Sequence, residues 1–328
     1  DPRIRLALQH GVNYVDTARK YAGGSSERNA GATLNKLGVR KDTWITSKTP
    51  NWSVRGFEQD VAFSLDNIKT SWVDLYFLHG LDELAPLDDS ELIKSVEKMK
   101  AANKLRFFGF SCHGGNVAEL LHAAAKRSFV DAVMFKYSFR DYGNRELNAA
   151  MDAAHKAGVG LIAMKTQGSE AGFRDAWKKF EKAGKWNKYQ AVLKAVWADE
   201  RITAAVSHME TTDQLRENIA AAVDRHELGA LEQDAVRRYA ELTRPYACQG
   251  CEHVCNAAVD APVRIGTTLR SLMYHDSYGD VAKARRVFSE LPVEARRIRD
   301  VDFTPASRIC PHGVDVVALM KRAAEVLA

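Results

Sequence analysis

Side chains able to do acid–base chemistry recur where predicted β-strands end. Asp16 closes the first apolar strand pattern, the phenol of Tyr21 follows in the next loop, and Lys48 and His79 close the two strand patterns that come next. The polar positions at predicted strand ends are Asp16, Lys48, His79, Ser111 and the step Met164-Lys165-Thr166. In a barrel of alternating strands and helices, catalytic residues lie at this end of the strands. A lone polar residue there is usually solvated, but recurrence over several strands predicts a site.

Reactive thiols form a second group near the C-terminus. Four of the five cysteines lie after residue 245, with Cys248, Cys251 and Cys255 in a C-x2-C-x3-C pattern and Cys310 before a proline. Clustered thiols of this kind favour a metal or redox site over a disulfide framework. The fifth, Cys112, falls at the predicted rim, where we interpret it as a small residue lining a pocket.

Length and composition limit the class of protein. The chain has 328 residues, of which 46% are hydrophobic and 27% charged, which suits one large domain or two with a sizeable core. No apolar run approaches the ~20 residues of a membrane span. The net charge is only +5 and the Lys and Arg residues are scattered, so no nucleic-acid partner is predicted.

Strand and helix patterns alternate up to residue 223. The predicted strands cover 13–18, 43–49, 73–79, 105–111, 131–137, 160–165 and 202–206. The predicted helices cover 2–10, 26–37, 54–69, 89–102, 115–127, 144–157, 188–199 and 211–223, with an irregular insertion at 168–187. Apolar strands alternating with amphipathic helices predict a parallel sheet covered on its outer face. Seven such units are one short of a (β/α)8 barrel, and since the chain starts at Asp1 rather than Met, we expect the first strand and any targeting signal to belong to an absent N-terminal segment.

Four motifs carry a family resemblance. The segments V-D-T-A-x-x-Y, S-S-E-R-N-A-G-A-T-L, W-I-T-S-K-T and V-D-L-Y-F-L-H-G resemble the aldo-keto reductase family in order and spacing, over about residues 1–225. The resemblance implies a (β/α)8 TIM barrel and an oxidoreductase that moves hydride between a nicotinamide cofactor and a carbonyl or alcohol substrate. It also places the catalytic tetrad of that family on Asp16, Tyr21, Lys48 and His79.

Carbonyl reduction explains why these residue types are needed. Hydride transfer builds negative charge on the carbonyl oxygen, and a free tyrosine, with a pKa of about 10, is a weak acid for that oxygen. We expect the ammonium of Lys48 to lower the pKa of Tyr21, and Asp16 to hold Lys48 charged and in place. His79 is expected to donate a hydrogen bond that orients the carbonyl oxygen.

The resemblance also implies that NADP or NAD is bound by residues after the later strands. The family holds the nicotinamide with a Ser-Asn pair and a Gln, where this chain has Ser111, Cys112 and Met134. The family grips the 2′-phosphate with a Lys or Ser and an Arg, where this chain has His208, Met209 and Gln214, so we expect only a weak preference for NADP over NAD. The predicted cofactor-binding residues are Ser111, Met164, Lys165, Ser207, His208, Gln214 and Asn218.

Residues 226–328 leave the barrel pattern and form a predicted second domain. The segment 269–279 is similar to the tail of the iron–sulfur branch of aldo-keto reductases, which looks like an appended two-cluster ferredoxin. In that comparison the second cysteine run has lost three ligands, at Asp300, Phe303 and Ala306. The remaining ligand set is Cys248, Cys251, Cys255 and Cys310. It implies a mostly helical domain with one [4Fe-4S] cluster, although structural zinc would accept the same thiolates.

Three functions are therefore compared. The first is a nicotinamide-dependent carbonyl or alcohol oxidoreductase with an iron–sulfur domain and a small-molecule substrate. The second is an electron-transfer protein whose cluster serves a redox partner protein and whose barrel no longer binds nucleotide well. The third is a binding protein without activity, which the intact tetrad disfavours. Thiolate clusters favour a cytoplasmic location, although a folded cluster protein could also be exported by the twin-arginine route.

Overall fold

A single parallel sheet organises the first part of the chain. The computed structural model describes residues 1–113, 116–167 and 185–328. The seven strands of the sheet are hydrogen-bonded in chain order and all neighbours are parallel. The strands are β1 (Tyr14–Asp16), β2 (Trp44–Thr49), β3 (Val73–Leu78), β4 (Leu105–Cys112), β5 (Ala132–Lys136), β6 (Gly160–Met164) and β7 (Ile202–Val206). This confirms the predicted barrel-like arrangement of repeated strand–helix units.

Helices follow the strands in the order that the sequence predicts. The described helices of this part are α1 (Pro2–Gln9), α2 (Ser25–Leu37), α3 (Val54–Ile68), α4 (Ala85–Asp88), α5 (Ser90–Ala101), α6 (Val117–Ala124), α7 (Arg145–Lys156), α8 (Lys188–Trp197) and α9 (Thr212–Val223). Each predicted helix is found within three residues of its predicted ends. The short α4 was missed, since Pro86 at its start reads as a turn signal. The predicted insertion at 168–187 lies almost wholly outside the described residues.

Strand periodicity separates an inner from an outer core. The inner cluster contains Leu75, Phe77, Met134 and Met164, while the much larger outer cluster packs the strands against the helices. Successive side chains of a strand point to opposite faces, so every second residue of a strand lies on the inner face. Trp44 packs on the inner cluster, which places Lys48 on the same face of β2.

The helices that precede β1 and follow β7, the two edge strands, contact each other. α1 contacts α9, and the guanidinium of Arg3 donates to the backbone oxygens of Met209 and Glu210, at 3.1 Å each. Arg3 is held in turn by the carboxylate of Asp1, which also caps α1. The first helix therefore anchors the loop that follows β7.

The chain divides into two compact units. One consists of residues 1–166 and 196–226, and the other of 167–195 and 227–328. The predicted boundary lies at 225 with 167–195 in the barrel, whereas the described residues 167 and 185–195 group with the second unit. No described helix is long and apolar enough to cross a membrane.

The second unit is helical, with its own core. Besides most of α8, its described helices are α10 (Ala230–Thr243), α11 (Glu252–Ala257), α12 (Ile265–Asp276), α13 (Val281–Ser289), α14 (Thr304–Ile309) and α15 (Val316–Val326). Ile265, Leu272, Phe288 and Met320 lie among the buried members of its apolar cluster. The helical character agrees with the expectation, but the iron–sulfur interpretation of this unit is not confirmed by its fold.

Candidate active site

A buried ion pair lies at the centre of the site. The ammonium of Lys48 on β2 donates to both oxygens of Asp16 at the end of β1, at 2.6 and 2.7 Å, and to the backbone oxygen of Thr17 at 2.8 Å. The side chain of Lys48 is 1% exposed. Burial lowers the pKa of Lys48 and raises that of Asp16, and their mutual attraction opposes both changes. Three acceptors use all three protons of the ammonium, so its position is fixed.

Tyr21 lies beside this pair. It begins the 3-10 turn Tyr21–Gly24, in which Ala22 has a φ of 48°, an unusual value for a residue with a side chain. The Lys48 ammonium is 5.0 Å from the centre of the Tyr21 ring, and the ring is 39% exposed. Tyr21 can therefore reach both the ion pair and a molecule in the solvent.

The pKa of Tyr21 moves opposite to the expected direction. Burial, followed by the charge of Asp16, raises the pKa of Tyr21 to about 12. The expectation that Lys48 lowers this pKa is wrong for the geometry seen, because Asp16 neutralises the ammonium at hydrogen-bond distance. Tyr21 is thus a protonated phenol at neutral pH, which is the form that a proton donor needs.

His79 completes the predicted tetrad. It follows β3 directly, its backbone N–H donates to Thr49 at 2.8 Å, and its ring meets that of Tyr21 edge to face at 5.6 Å. The indole N–H of Trp52 donates to the backbone oxygen of His79 at 3.4 Å. Burial, with the charges of Lys48 and Lys20, lowers the pKa of His79 to about 4. The imidazole is therefore neutral at pH 7 and can donate one hydrogen bond without carrying charge.

Buried carboxylates behind β2 hold the strand that carries Lys48. The hydroxyl of Ser47 donates to Glu27 at 2.6 Å, and Asn67 donates to the other oxygen of Glu27 at 2.8 Å. On the other side of Lys48, the hydroxyl of Thr49 donates to Asp60 at 2.6 Å. The residues on either side of Lys48 are thereby tied to α2 and α3.

The same network reaches the loop that carries Tyr21. The guanidinium of Arg19 lies 3.5 Å from a carboxylate oxygen of Asp60, and the backbone N–H of Arg19 donates to the backbone oxygen of Lys48 at 3.0 Å. Sequence reasoning missed Arg19 and Asp60. A signal was present, because Asp60 falls on the apolar face of a predicted helix, where a buried acid needs a partner.

Two of the predicted cofactor-binding residues on the middle strands already make contacts within the protein. Ser111 is buried and its hydroxyl accepts from the backbone N–H of Gly80 at 3.0 Å, a bond that leaves the proton of the hydroxyl unused. Met164 belongs to the inner apolar cluster, as does Met134. Lys165 follows on an exposed position with a φ of 58°, a strained conformation for lysine.

Thr166 provides a test of whether the rim suits a bound nucleotide. Its hydroxyl is buried and, within the part of the chain that the structure describes, has no hydrogen-bond partner. A buried hydroxyl without a partner is costly, so a polar group from outside the chain would be stabilised there. The neighbouring Lys165 adds a cation, and the pair fits a phosphate-bearing ligand.

The residues after β7 form the capped N-terminus of α9. Gln214 accepts from the backbone N–H groups of Glu210 and Thr211, at 2.7 and 3.2 Å, and Thr211 caps α9 in return. The side-chain oxygen of Gln214 is thus used inside the loop. Asn218 donates to the hydroxyl of Ser207 at 3.2 Å, and the side chain of His208 is exposed.

The four cysteines of the second unit form no disulfide bond among the described residues, and all four are half-buried. Burial, then the charges of Cys248, Cys251 and Cys310, raises the pKa of Cys255 to about 12, so each of these three cysteines acts electrostatically on Cys255. The sulfur of Cys310 also accepts from the backbone N–H of Val314 at 3.4 Å. Even so, among the described residues no group of three or more His, Cys, Asp or Glu is placed to hold a metal ion, so the predicted metal centre is not confirmed.

Comparison with known proteins settles the class. The model of the aldo/keto reductase family matches residues 2–242, so the chain belongs to the aldo/keto reductase family, a family of NAD(P)-dependent oxidoreductases. It is 29% identical over 175 residues to an aldo-keto reductase of Gibberella moniliformis, and these residues are half of this chain and half of that relative.

Two longer similarities agree with this. Over 270 residues, 74% of this chain and 83% of the relative, it is 23% identical to L-galactose dehydrogenase of Arabidopsis thaliana. The structure of an aldo-keto reductase from Klebsiella pneumoniae in complex with NADPH matches with a TM-score of 0.60 at 20% identity, covering 74% of this chain and 83% of that one. The structural likeness shows that the fold is shared.

Proposed function

We propose that this chain reduces the carbonyl group of a small molecule to an alcohol, with hydride supplied by NADPH or NADH. The observation that supports the proposal best is the Asp16–Lys48 ion pair with Tyr21 and His79 beside it. Burying a charged lysine costs desolvation free energy even when all three ammonium protons are hydrogen-bonded, which favours a functional role for Lys48. Its placement against an accessible phenol matches the needs of proton donation to a reduced carbonyl.

When bound, the nicotinamide would supply a hydride, which is one proton with two electrons, to the carbonyl carbon. Tyr21 gives its proton to the carbonyl oxygen, so a C–H and an O–H bond form as the carbonyl π bond is lost. The neutral imidazole of His79 orients the oxygen by hydrogen bonding before the proton moves. Asp16 holds the ammonium of Lys48 in place, 5.0 Å from the centre of the Tyr21 ring.

The nucleotide would be held on the other side of the rim. We assign the nicotinamide end to Ser111, whose proton is unused in its bond to Gly80, and the phosphates to Lys165 and Thr166. The Klebsiella pneumoniae relative whose structure matches is complexed with NADPH. Ser207, His208 and Asn218 remain candidates for the adenosine end, while the internal bonds of Gln214 make it a residue that shapes the loop.

Turnover and binding can be tested separately. Titration of the full chain with NADPH and NADH, followed by protein fluorescence, measures binding without chemistry. Consumption of the nicotinamide in the presence of short aldehydes then measures reduction. We expect saturable binding and aldehyde-dependent turnover. Binding without turnover over a wide aldehyde panel would contradict the proposed activity, and absence of both would favour a protein that no longer binds nucleotide.

We further propose that Cys248, Cys251, Cys255 and Cys310 hold one [4Fe-4S] cluster. The support is that Cys248, Cys251 and Cys310 all act electrostatically on Cys255, and that Cys248, Cys255 and Cys310 pack on the apolar cluster of the second unit. The donor chemistry fits such a cluster, whose ligands are thiolates. A cluster of this kind suits a reducing compartment, which favours the cytoplasm. If the cluster exchanges electrons, it requires a redox partner protein.

Metal analysis tests this second proposal. We expect iron and sulfide in protein purified without oxygen, and their loss in Cys310→Ala, together with greater protease sensitivity of residues 226–328, because metal binding also stabilises the fold. Cys112→Ala is the matched control, since Cys112 is buried in the outer core of the sheet and should leave the iron content unchanged. Zinc in place of iron would refute the cluster, and full iron in Cys310→Ala would refute that ligand.

A further inference from the structure

A second histidine lies beside the tetrad. The ring of His113 is 6.2 Å from that of His79, with the two planes tilted by 53°. The rings of Tyr21, His79 and His113 therefore follow one another at close spacing, since His79 is 5.6 Å from Tyr21. His113 is exposed, so a molecule approaching His79 from the solvent can also meet His113.

Backbone hydrogen bonds fix where His113 stands. It follows β4 directly, after Ser111 and Cys112. Ser111 accepts twice from the loop after β3, through its hydroxyl from Gly80 at 3.0 Å and through its backbone oxygen from Leu81 at 2.8 Å. Gly80 has a φ of 71°, which bends the chain after His79, and a Cβ there would lie 3.9 Å from the His113 ring. The two histidines therefore lie on neighbouring loops that are joined by hydrogen bonds.

A third bond strengthens this arrangement. Asn116 donates to the backbone oxygen of Asp82 at 2.7 Å, so the loops after β3 and β4 are joined on both sides of His113. These bonds restrict the backbone on either side of His113, so less backbone freedom is lost when a ligand binds there, which favours specific recognition.

Building on the proposed carbonyl reduction, we propose that His113 determines substrate specificity by hydrogen bonding a hydroxyl on the carbon next to the carbonyl. His79 takes the carbonyl oxygen, and an imidazole nitrogen of His113 reaches about 2.9 Å to the neighbouring oxygen. The spacing of the two rings suits two oxygens on adjacent carbons of one small molecule. The substrate class is then α-hydroxy carbonyl compounds, which include small sugars and hydroxyaldehydes.

A carboxylate next to the carbonyl is the competing possibility, because Lys20 is exposed and close enough to influence His79 electrostatically. A hydroxyl is favoured because imidazole can both donate to and accept from it, and because the neighbouring ring, His79, offers hydrogen bonding without charge. The two possibilities predict different substrates, so kinetics separates them.

The test compares lactaldehyde with propanal, which differ only in the hydroxyl. We expect the wild type to prefer lactaldehyde by roughly tenfold in kcat/KM, the value of about one good hydrogen bond. His113→Phe, which keeps a ring but no hydrogen-bonding atom, should lose that preference, and His113→Gln, which keeps a donor, should recover most of it. His122→Phe, at an exposed position of α6, is the matched control and should keep the wild-type preference.

A second readout does not depend on turnover. In nuclear magnetic resonance spectra of the protein with labelled histidine, propane-1,2-diol should shift the imidazole signals of His113 more than propan-1-ol does. An unchanged lactaldehyde preference in His113→Phe would overturn the proposal. So would a stronger preference for glyoxylate that Lys20→Met abolishes. If the wild type reduced neither propanal nor lactaldehyde, the carbonyl reductase function itself would be refuted.

Discussion

The two halves of the barrel rim differ in how their polar groups are held. After β1 to β3, Lys48 is almost fully buried and bonded to Asp16, and the ring of Tyr21 contacts both Lys48 and His79. On β5 and β6 the inner cluster contains Met134 and Met164, which cannot form hydrogen bonds of comparable strength. Proton transfer thus depends on a preorganised set of side chains, whereas binding of the proposed cofactor depends on a few groups at the strand ends.

This difference explains why one half is easier to recognise from sequence. A buried ion pair tolerates few substitutions, because removing one partner leaves an unpaired charge. A nucleotide can be held by backbone groups and by exchangeable side chains, so the residue types vary. Variants in each half of the rim test this difference.

The largest effect is expected at Tyr21. Tyr21→Phe removes the proton donor and keeps the ring, so carbonyl reduction should fall by about 10²–10⁴-fold while nucleotide binding persists. Steady-state kinetics and the NADPH titration measure the two properties. Tyr246→Phe, at an exposed position of the second unit, is the control and should retain the wild-type rate. A Tyr21→Phe enzyme with more than about a tenth of the wild-type rate would remove Tyr21 from the mechanism.

Lys48→Met should affect activity and stability together. Methionine fills a similar volume but leaves Asp16 without its partner, so we expect slower reduction and a loss of about 3 kcal/mol in the free energy of unfolding. Chemical denaturation measures the second quantity. The double variant Asp16→Asn with Lys48→Met should regain part of the stability and none of the activity. If it regains the activity, the ion pair serves only the fold.

The pH profile tests the ionisation states of His79 and Tyr21. With pKa values of about 4 and about 12, neither group changes charge between about pH 5 and 9, so kcat/KM should be flat over that range. A falling limb near neutral pH would show instead that Lys48 does lower the pKa of Tyr21 during catalysis.

Stability has a related pH dependence. The folded pKa of His79 lies below its ordinary value of about 6.5, so between about pH 6.5 and 4 the unfolded chain binds a proton that the folded chain does not. Stability should therefore decrease as the pH falls through that window. His79→Asn should show a smaller decrease in the same unfolding experiment, and an identical decrease would assign the effect to other groups.

The smallest effect concerns the choice of cofactor. The oxygen of Gln214 is used within its own loop, and its amide carries no positive charge that would favour a 2′-phosphate. We expect kcat/KM for NADPH and NADH to differ by well under a hundredfold, measured with one aldehyde at a fixed pH. A preference of a hundredfold or more for NADPH would show that other residues, such as Lys165, bind the phosphate.

Much of the fold could be predicted because its signals are local. Apolar strands followed by capped helices mark β2 and α3, and Ser53 caps α3 as its sequence position suggests. The tetrad was predictable for the same reason, since each member lies at or soon after a strand end. What the sequence could not show was non-local: the Arg19–Asp60 contact, the His79–His113 pair, and the grouping of residues 167 and 185–195 with the second unit.

The direction of the Tyr21 pKa was also beyond sequence reasoning. It depends on how closely Asp16 neutralises Lys48 and on how much of the phenol is buried, and both are distances in three dimensions. Residue types alone suggested a nearby cation and therefore a lower pKa. The structure replaces that expectation with a protonated donor.

The central claim is that this barrel transfers hydride to a carbonyl carbon. The most direct test uses NADPH that carries deuterium at the position from which hydride leaves, together with an aldehyde, and analyses the alcohol by mass spectrometry. The account predicts one deuterium on the former carbonyl carbon in the wild type, and very little labelled alcohol with Tyr21→Phe. Folded, NADPH-binding wild-type protein that gives no deuterated alcohol from any aldehyde tested would contradict it.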